Sequence, residues 1–145
     1  MAKKTILVVD DDPTVLNCLS DLLRRCGYEV MAAHEASAAL AERVTGADID
    51  LVITDHYMAG MDGLEFLHEL RKMHPTIPAI MLTGHETLEN YQKAVGLGTT
   101  AYLTKPFRAR ELMRVVTAAL GDPADAWISV ASSSHDAALH ADGGE

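Results

Sequence analysis

The alternation of two kinds of segment constrains this chain most. Five short runs of apolar, often β-branched residues are each followed by a longer stretch whose apolar positions recur at helical spacing. The short runs are Thr5 to Val9, Tyr28 to Ala33, Leu51 to Thr54, Ala79 to Leu82 and Ala101 to Thr104. They are too brief for helices and read as buried strands. Behind the first, Val15, Leu16, Leu19, Leu22, Leu23 and Cys26 share one helical face, and Gly27 supplies the stop. An Ala-rich helix is expected over about 35–45, then one bearing Leu64, Leu67 and Leu70. A weaker one shows Leu88, Tyr91 and Val95 as its apolar positions, and the last presents Leu112, Val115, Val116 and Ala119. Asp12 before Pro13 fits a helix cap, and Asp62 with Glu65 fits a capping box.

Five βα units in series call for a five-stranded parallel sheet with helices on both faces, a doubly wound α/β architecture. Strands that are apolar throughout agree with a sheet covered on both sides. Ligands of such sheets sit beyond the carboxyl ends of the strands. There the chain carries Asp10-Asp11-Asp12, Asp55, Thr83 and Thr104-Lys105-Pro106. Carboxylates brought together raise one another's pKa. A hard divalent cation relieves that repulsion, and an all-oxygen donor set suits Mg2+. A cation, a lysine and a hydroxyl around one carboxylate are the equipment of phosphoryl transfer. That reaction asks the protein mainly for positioning and for neutralisation of charge on the phosphoryl oxygens.

The 145 residues fit one domain of ordinary size. A net charge of −9, from 12 basic and 21 acidic side chains, argues against a nucleic-acid partner. All the Lys and Arg lie within residues 1–121, whereas 122–145 hold five acids among Ala, Ser and Gly. That composition is expected of a mobile tail or linker, so the domain spans 1–121 and closes near Gly121-Asp122-Pro123. Trp127, beside Ile128 and Val130, either docks this stretch on the body or opens a linker. No run approaches the ~20 apolar residues of a membrane span. The apolar start is cut short by Asp10, unlike a secretory leader, so a cytoplasmic location is expected. Cys18 and Cys26, eight residues apart on one helix, lie ~12 Å apart and beyond disulfide reach. His34, His56, His68 and His74 show no ligand spacing and read as solvated or partly buried.

Four ordered motifs carry a resemblance. They are Ile6-Leu7-Val8-Val9-Asp10-Asp11; Thr54-Asp55 followed by Met58 and Met61-Asp62-Gly63; Leu82-Thr83-Gly84; and Tyr102-Leu103-Thr104-Lys105-Pro106-Phe107. Over about residues 4–121 the chain resembles the receiver domain of two-component response regulators, with the chemotaxis-type (βα)5 fold also called flavodoxin-like. The resemblance implies that Asp55 accepts a phosphoryl group from the phosphohistidine of a histidine kinase or phosphotransfer protein. It implies Mg2+ held directly by Asp11 and Asp55, through water by Asp10, and by the backbone carbonyl of Tyr57. Thr83 would bond a phosphoryl oxygen, Lys105 would pair with the phosphoryl group, and Tyr102 would be the aromatic switch that follows Thr83. The Lys105-Pro106 bond is expected to be cis. Such a domain switches a downstream protein target, or an output domain missing from this chain, and catalyses only its own phosphorylation and dephosphorylation.

Three features bear on departures from the family pattern. Ala59 stands where proline is usual, leaving the loop after Asp55 less constrained. His85 and the Tyr57 side chain flank the site of water attack, so the phosphate lifetime stays open. Thr99-Thr100 replaces the acidic pair of members that dimerise through the last two helices, so a monomer or weak dimer is expected. One alternative uses other aspartates. Asp10, Asp12 and Thr14 spell the D-x-D-x-T signature of haloacid-dehalogenase-type phosphatases, although the later acidic pair and the cap of those enzymes are missing. A flavin-binding flavodoxin would need a first loop that cradles phosphate with backbone N–H groups, and here that loop is acidic.

Overall fold

Both faces of each central strand are apolar, and this decides the layering. In the computed structural model, which describes residues 3–44, 48–84 and 87–122, successive side chains of β1 (Thr5–Val9) enter opposite cores. Ile6 and Val8 join Leu16, Leu19 and Leu23 of α1 (Pro13–Arg25) and Leu112, Met113 and Val116 of α5 (Ala109–Leu120). Leu7 and Val9 face Phe66, Leu67 and Leu70 of α3 (Gly63–Met73) on the other side. The period of two along a strand thus feeds two cores from one segment.

The remaining strands are β2 (Glu29–Ala33), β3 (Leu51–Asp55), β4 (Ala79–Thr83) and β5 (Ala101–Thr104). All pairs are parallel, in the order β2-β1-β3-β4-β5. The winding therefore reverses between β1 and β3. Val9 pairs with Thr54, so Asp10 and Asp55 emerge side by side at that switch point. Thr83 pairs with Thr104, which sets Lys105 just beyond the end of β4. None of the helices among the described residues is long and apolar enough to cross a membrane.

The second and fourth helices differ from expectation. After Glu35, one α-helical turn, α2 (Ala36–Ala38), widens into a π-helical segment, Ala39–Val44. Ala36 and Ala39 are its buried anchors, and so small a side chain leaves no imprint of winding in the apolar pattern. In α4 (Leu88–Gly96) the presumed apolar face is turned outward. Leu88, Tyr91 and Val95 are 72%, 43% and 54% exposed, and Ala94 is the buried residue. Polar contacts hold this helix instead. Arg71 Nε and Nη2 donate to the carbonyls of Leu97 and Gly98 at 2.7 and 3.1 Å, and Asn90 Nδ2 donates to the Tyr57 hydroxyl at 3.2 Å.

The amino edge of the sheet is closed by a three-residue clamp. Lys4 Nζ donates to the Leu120 carbonyl at 2.6 Å and to Asp122 Oδ1 at 2.8 Å. The Tyr28 hydroxyl, expected in β2 but lying just before it, donates to Asp122 Oδ2 at 2.8 Å. Gly121 takes a left-handed conformation (φ 71°) at the end of α5, which delivers Asp122 to these donors. The bond from Lys4 chiefly holds the Asp122 carboxyl below the usual carboxylate range. Asp122→Ala is expected to lower stability by about 1 kcal/mol, the scale of a partly exposed charged hydrogen bond. A lowered folded pKa means that this contribution is complete above about pH 4 and fades as the pH falls through the folded value. Urea denaturation at neutral and acid pH checks it, and equal midpoints at pH 7 would refute it. The boundary expected at Gly121 precedes residues 123–145, which, with Trp127, lie outside the described residues, as does His85.

Candidate functional site: an acidic cluster at the carboxyl edge

Asp10, Asp11 and Asp55 bring carboxylate oxygens within 4.8 Å of one another. Asp10 follows β1 and is 1% exposed; Asp55 is the last residue of β3 and 7% exposed. Asp11 is exposed at the mouth. Lys105 Nζ lies 3.0 Å from Asp55 Oδ1 and 3.9 Å from Asp10 Oδ2, the second too long for a hydrogen bond. The Lys105 N–H donates to the Thr83 carbonyl at 2.6 Å, tying the lysine to the end of β4, where Thr83 is fully buried. The Lys105-Pro106 bond is cis, as expected.

The charges oppose one another. Burial first, then Asp55, pushes the Asp10 carboxyl up to about 7, against the pull of the Asp12 N–H and Lys105. Burial likewise raises Asp55, with Lys105 opposing. Asp10 Oδ2 is buried without a hydrogen-bond donor. An all-carboxylate set with an oxygen lacking a donor fits a hard divalent cation, whose charge would offset that repulsion.

Asp12 points elsewhere. Its carboxylate accepts from the Thr14 N–H at 2.9 Å as the N-cap of α1, with Pro13 in the first turn. It lies outside the acidic cluster, so the phosphatase reading loses its second aspartate. The Tyr57 ring stacks on His56 at 4.1 Å, and its hydroxyl accepts from Asn90 Nδ2. Tyr102 is half-buried and meets Tyr91 edge-on at 5.7 Å.

Two features of the loop after Asp55 were not evident in the sequence. His56, read there as solvated or partly buried, is 2% exposed, and burial lowers its pKa. Its N–H donates to the Leu82 carbonyl at 2.8 Å, and its own carbonyl accepts from the Gly63 N–H at 2.7 Å. Gly63 is needed for this approach: a Cβ there would overlap the Asp55 carbonyl oxygen and stand 2.9 Å from His56 Cα. Gly63→Ala is therefore expected to cost about 1–3 kcal/mol, the usual scale of overpacking. An unchanged denaturation midpoint would show that the start of α3 yields freely. Asp62 and Glu65 form the expected capping box, each side chain bonding the other's N–H at 2.9 Å.

A (βα)5 domain with three carboxylates and a lysine at the switch point defines a class of signalling domain. Residues 6–117 match the model of the response regulator receiver domain, and the chain belongs to that family. It is 37% identical over 145 residues to the DNA-binding transcriptional regulator NtrC of Azospirillum brasilense, covering all of this chain and 28% of that protein. A CheY-like receiver domain protein from Methanospirillum hungatei JF-1 has the same fold, with a TM-score of 0.79 and 33% identity over 83% of this chain and 95% of that one. The response regulator TrrA of Thermotoga maritima, solved in complex with Mg2+ and BeF, gives 0.73 and 34% over 81% and 99%. The chain spans about a quarter of the length of the curated relatives it matches. Its role is in signal transduction, and the haloacid-dehalogenase reading finds no support.

Proposed function

We propose that the chain accepts a phosphoryl group on Asp55 and returns it to water, switching a partner or an output region in a two-component system. The observation that carries this is the position of Lys105 Nζ, 3.0 Å from Asp55 within a cluster of three carboxylates. An Asp55 carboxylate oxygen attacks phosphorus, the bond to the donor imidazole breaks, and an acyl phosphate forms. Lys105 pairs with the phosphoryl oxygens, and the Thr83 hydroxyl donates to one of them. Asp11, Asp55 and the Tyr57 carbonyl would hold Mg2+, with Asp10 acting through water. When bound, the cation supplies positive charge that lets a carboxylate and a phosphoryl group approach. Tyr102 reports the movement of Thr83 to the face it shares with Tyr91.

The phosphoryl donor is a histidine kinase or a phosphotransfer protein. The reader is either a separate protein or an output region of a longer polypeptide, in line with the greater length of the relatives. The receiver unit closes at Gly121, supported by the left-handed turn there and the clamp on Asp122.

Incubation with Mg2+ and acetyl phosphate should add one phosphoryl group, read by intact mass. A chelator should prevent it, and hydroxylamine, which cleaves acyl phosphates, should remove it. No adduct under these conditions would defeat the assignment.

A further inference from the structure

The two loops that bring the carboxylates together are joined by a main-chain hydrogen bond. Asp11 leaves the end of β1, and the Ala59 N–H, in the loop after Asp55, donates to Asp11 Oδ2 at 2.9 Å. The other two carboxylates are secured in different ways. Asp10 is buried and accepts the Asp12 N–H at 2.9 Å, while Asp55 sits at the end of a strand against Lys105. Asp11 is exposed and has no such packing around it.

We infer that Ala59 is a positioning residue for the cation site. Its amide holds one oxygen of Asp11 across from Asp55 and leaves the other oxygen for the cation. The inference rests on the Mg2+ site proposed above. An exposed carboxylate must give up rotamer freedom to bind, and a donor already in place lowers that cost. The bond is charge-assisted, hence stronger than a neutral one. Its loop is itself anchored, by the Gly63 N–H on the His56 carbonyl and by the buried Met58. Because the donor is main-chain, every residue type at 59 preserves it except proline, which has no N–H.

Mg2+ titration of the full chain, followed by amide NMR shifts, separates the outcomes. Ala59→Pro should weaken Mg2+ binding about three- to tenfold, the scale of one exposed hydrogen bond to a charged group. Ala59→Gly, which keeps the N–H, should lose less than Ala59→Pro. In the unsubstituted chain the Ala59 amide should be protected from hydrogen exchange, and Asp11→Ala should remove that protection. Equal affinity of the proline variant and the parent would overturn the inference. So would an unprotected Ala59 amide, which decides the matter even if the proline variant does not fold. A parent chain that binds no Mg2+ would instead overturn the cation site, and this inference with it.

Discussion

Asp55→Asn should abolish the phosphoryl adduct, while Asp12→Asn should leave it in place. The amide of asparagine offers no carboxylate oxygen to phosphorus, and it removes the charge that Lys105 pairs with at 3.0 Å. Buried Asp10 cannot take over readily, because burial, the largest cause of its raised pKa, persists in the variant and disfavours its carboxylate. Asp12 serves the helix instead, accepting from the Thr14 N–H, and asparagine caps a helix about as well as aspartate. Intact mass after acetyl phosphate and Mg2+ reads both variants in one experiment. An adduct that survives Asp55→Asn would move the acceptor elsewhere, and one lost in Asp12→Asn would revive the phosphatase reading.

Asp10→Asn should make the chain more stable in the presence of a chelator, although it changes a residue at the heart of the site. The carboxyl is pushed up to about 7, first by burial and then by Asp55. In the unfolded chain it titrates near its ordinary value of about 4. Below that pH both states hold the proton and nothing is lost. As the pH rises the unfolded state releases it first, so stability declines until the folded value is passed near 7. At pH 8 the carboxyl is charged in both states, and Asp10→Asn should recover roughly 4 kcal/mol, the rise from about 4 to about 7 taken at ~1.4 kcal/mol per pH unit. At pH 4 the gain should nearly vanish. Mg2+ should stabilise the parent more than the variant, since it offsets the same repulsion. Urea denaturation at the two pH values, with chelator or Mg2+, provides the check. A variant less stable than its parent at pH 8 in chelator would contradict the account.

The strands and the site were legible for one reason: both depend on short patterns. A run such as Ile6 to Val9, apolar at every position and too short for a helix, reads as a strand covered on both faces. A polar residue ending such a run must then lie at the carboxyl edge, which located Asp10, Asp55, Thr83 and Lys105. Asp55 and Thr83 prove to be the last residues of their strands, so the site begins inside the sheet. Periodicity was silent on sidedness in α4. It reports that Leu88, Tyr91 and Val95 share a face, not that the face turns inward. The guanidinium of Arg71 on the carbonyls of Leu97 and Gly98 supplies the missing attachment, and no sequence period encodes such a contact. Burial of His56 was hidden likewise, because it follows from how closely Gly63 approaches the loop. The bond from Ala59 to Asp11 joins residues 48 positions apart, and its donor belongs to the main chain rather than to any recognisable side chain.

The clamp of Lys4, Tyr28 and Asp122 fixes a point of departure. Asp122 is fastened beside the first residues of β1, at the opposite pole of the sheet from Asp55. Five-residue strands separate the two poles by roughly 16 Å at ~3.3 Å per residue. The clamp therefore places the end of the described fold at the pole remote from Asp55. Under the proposed function, a change at Asp55 would have to cross the sheet and its helices, as a change of surface shape, to be felt at that pole.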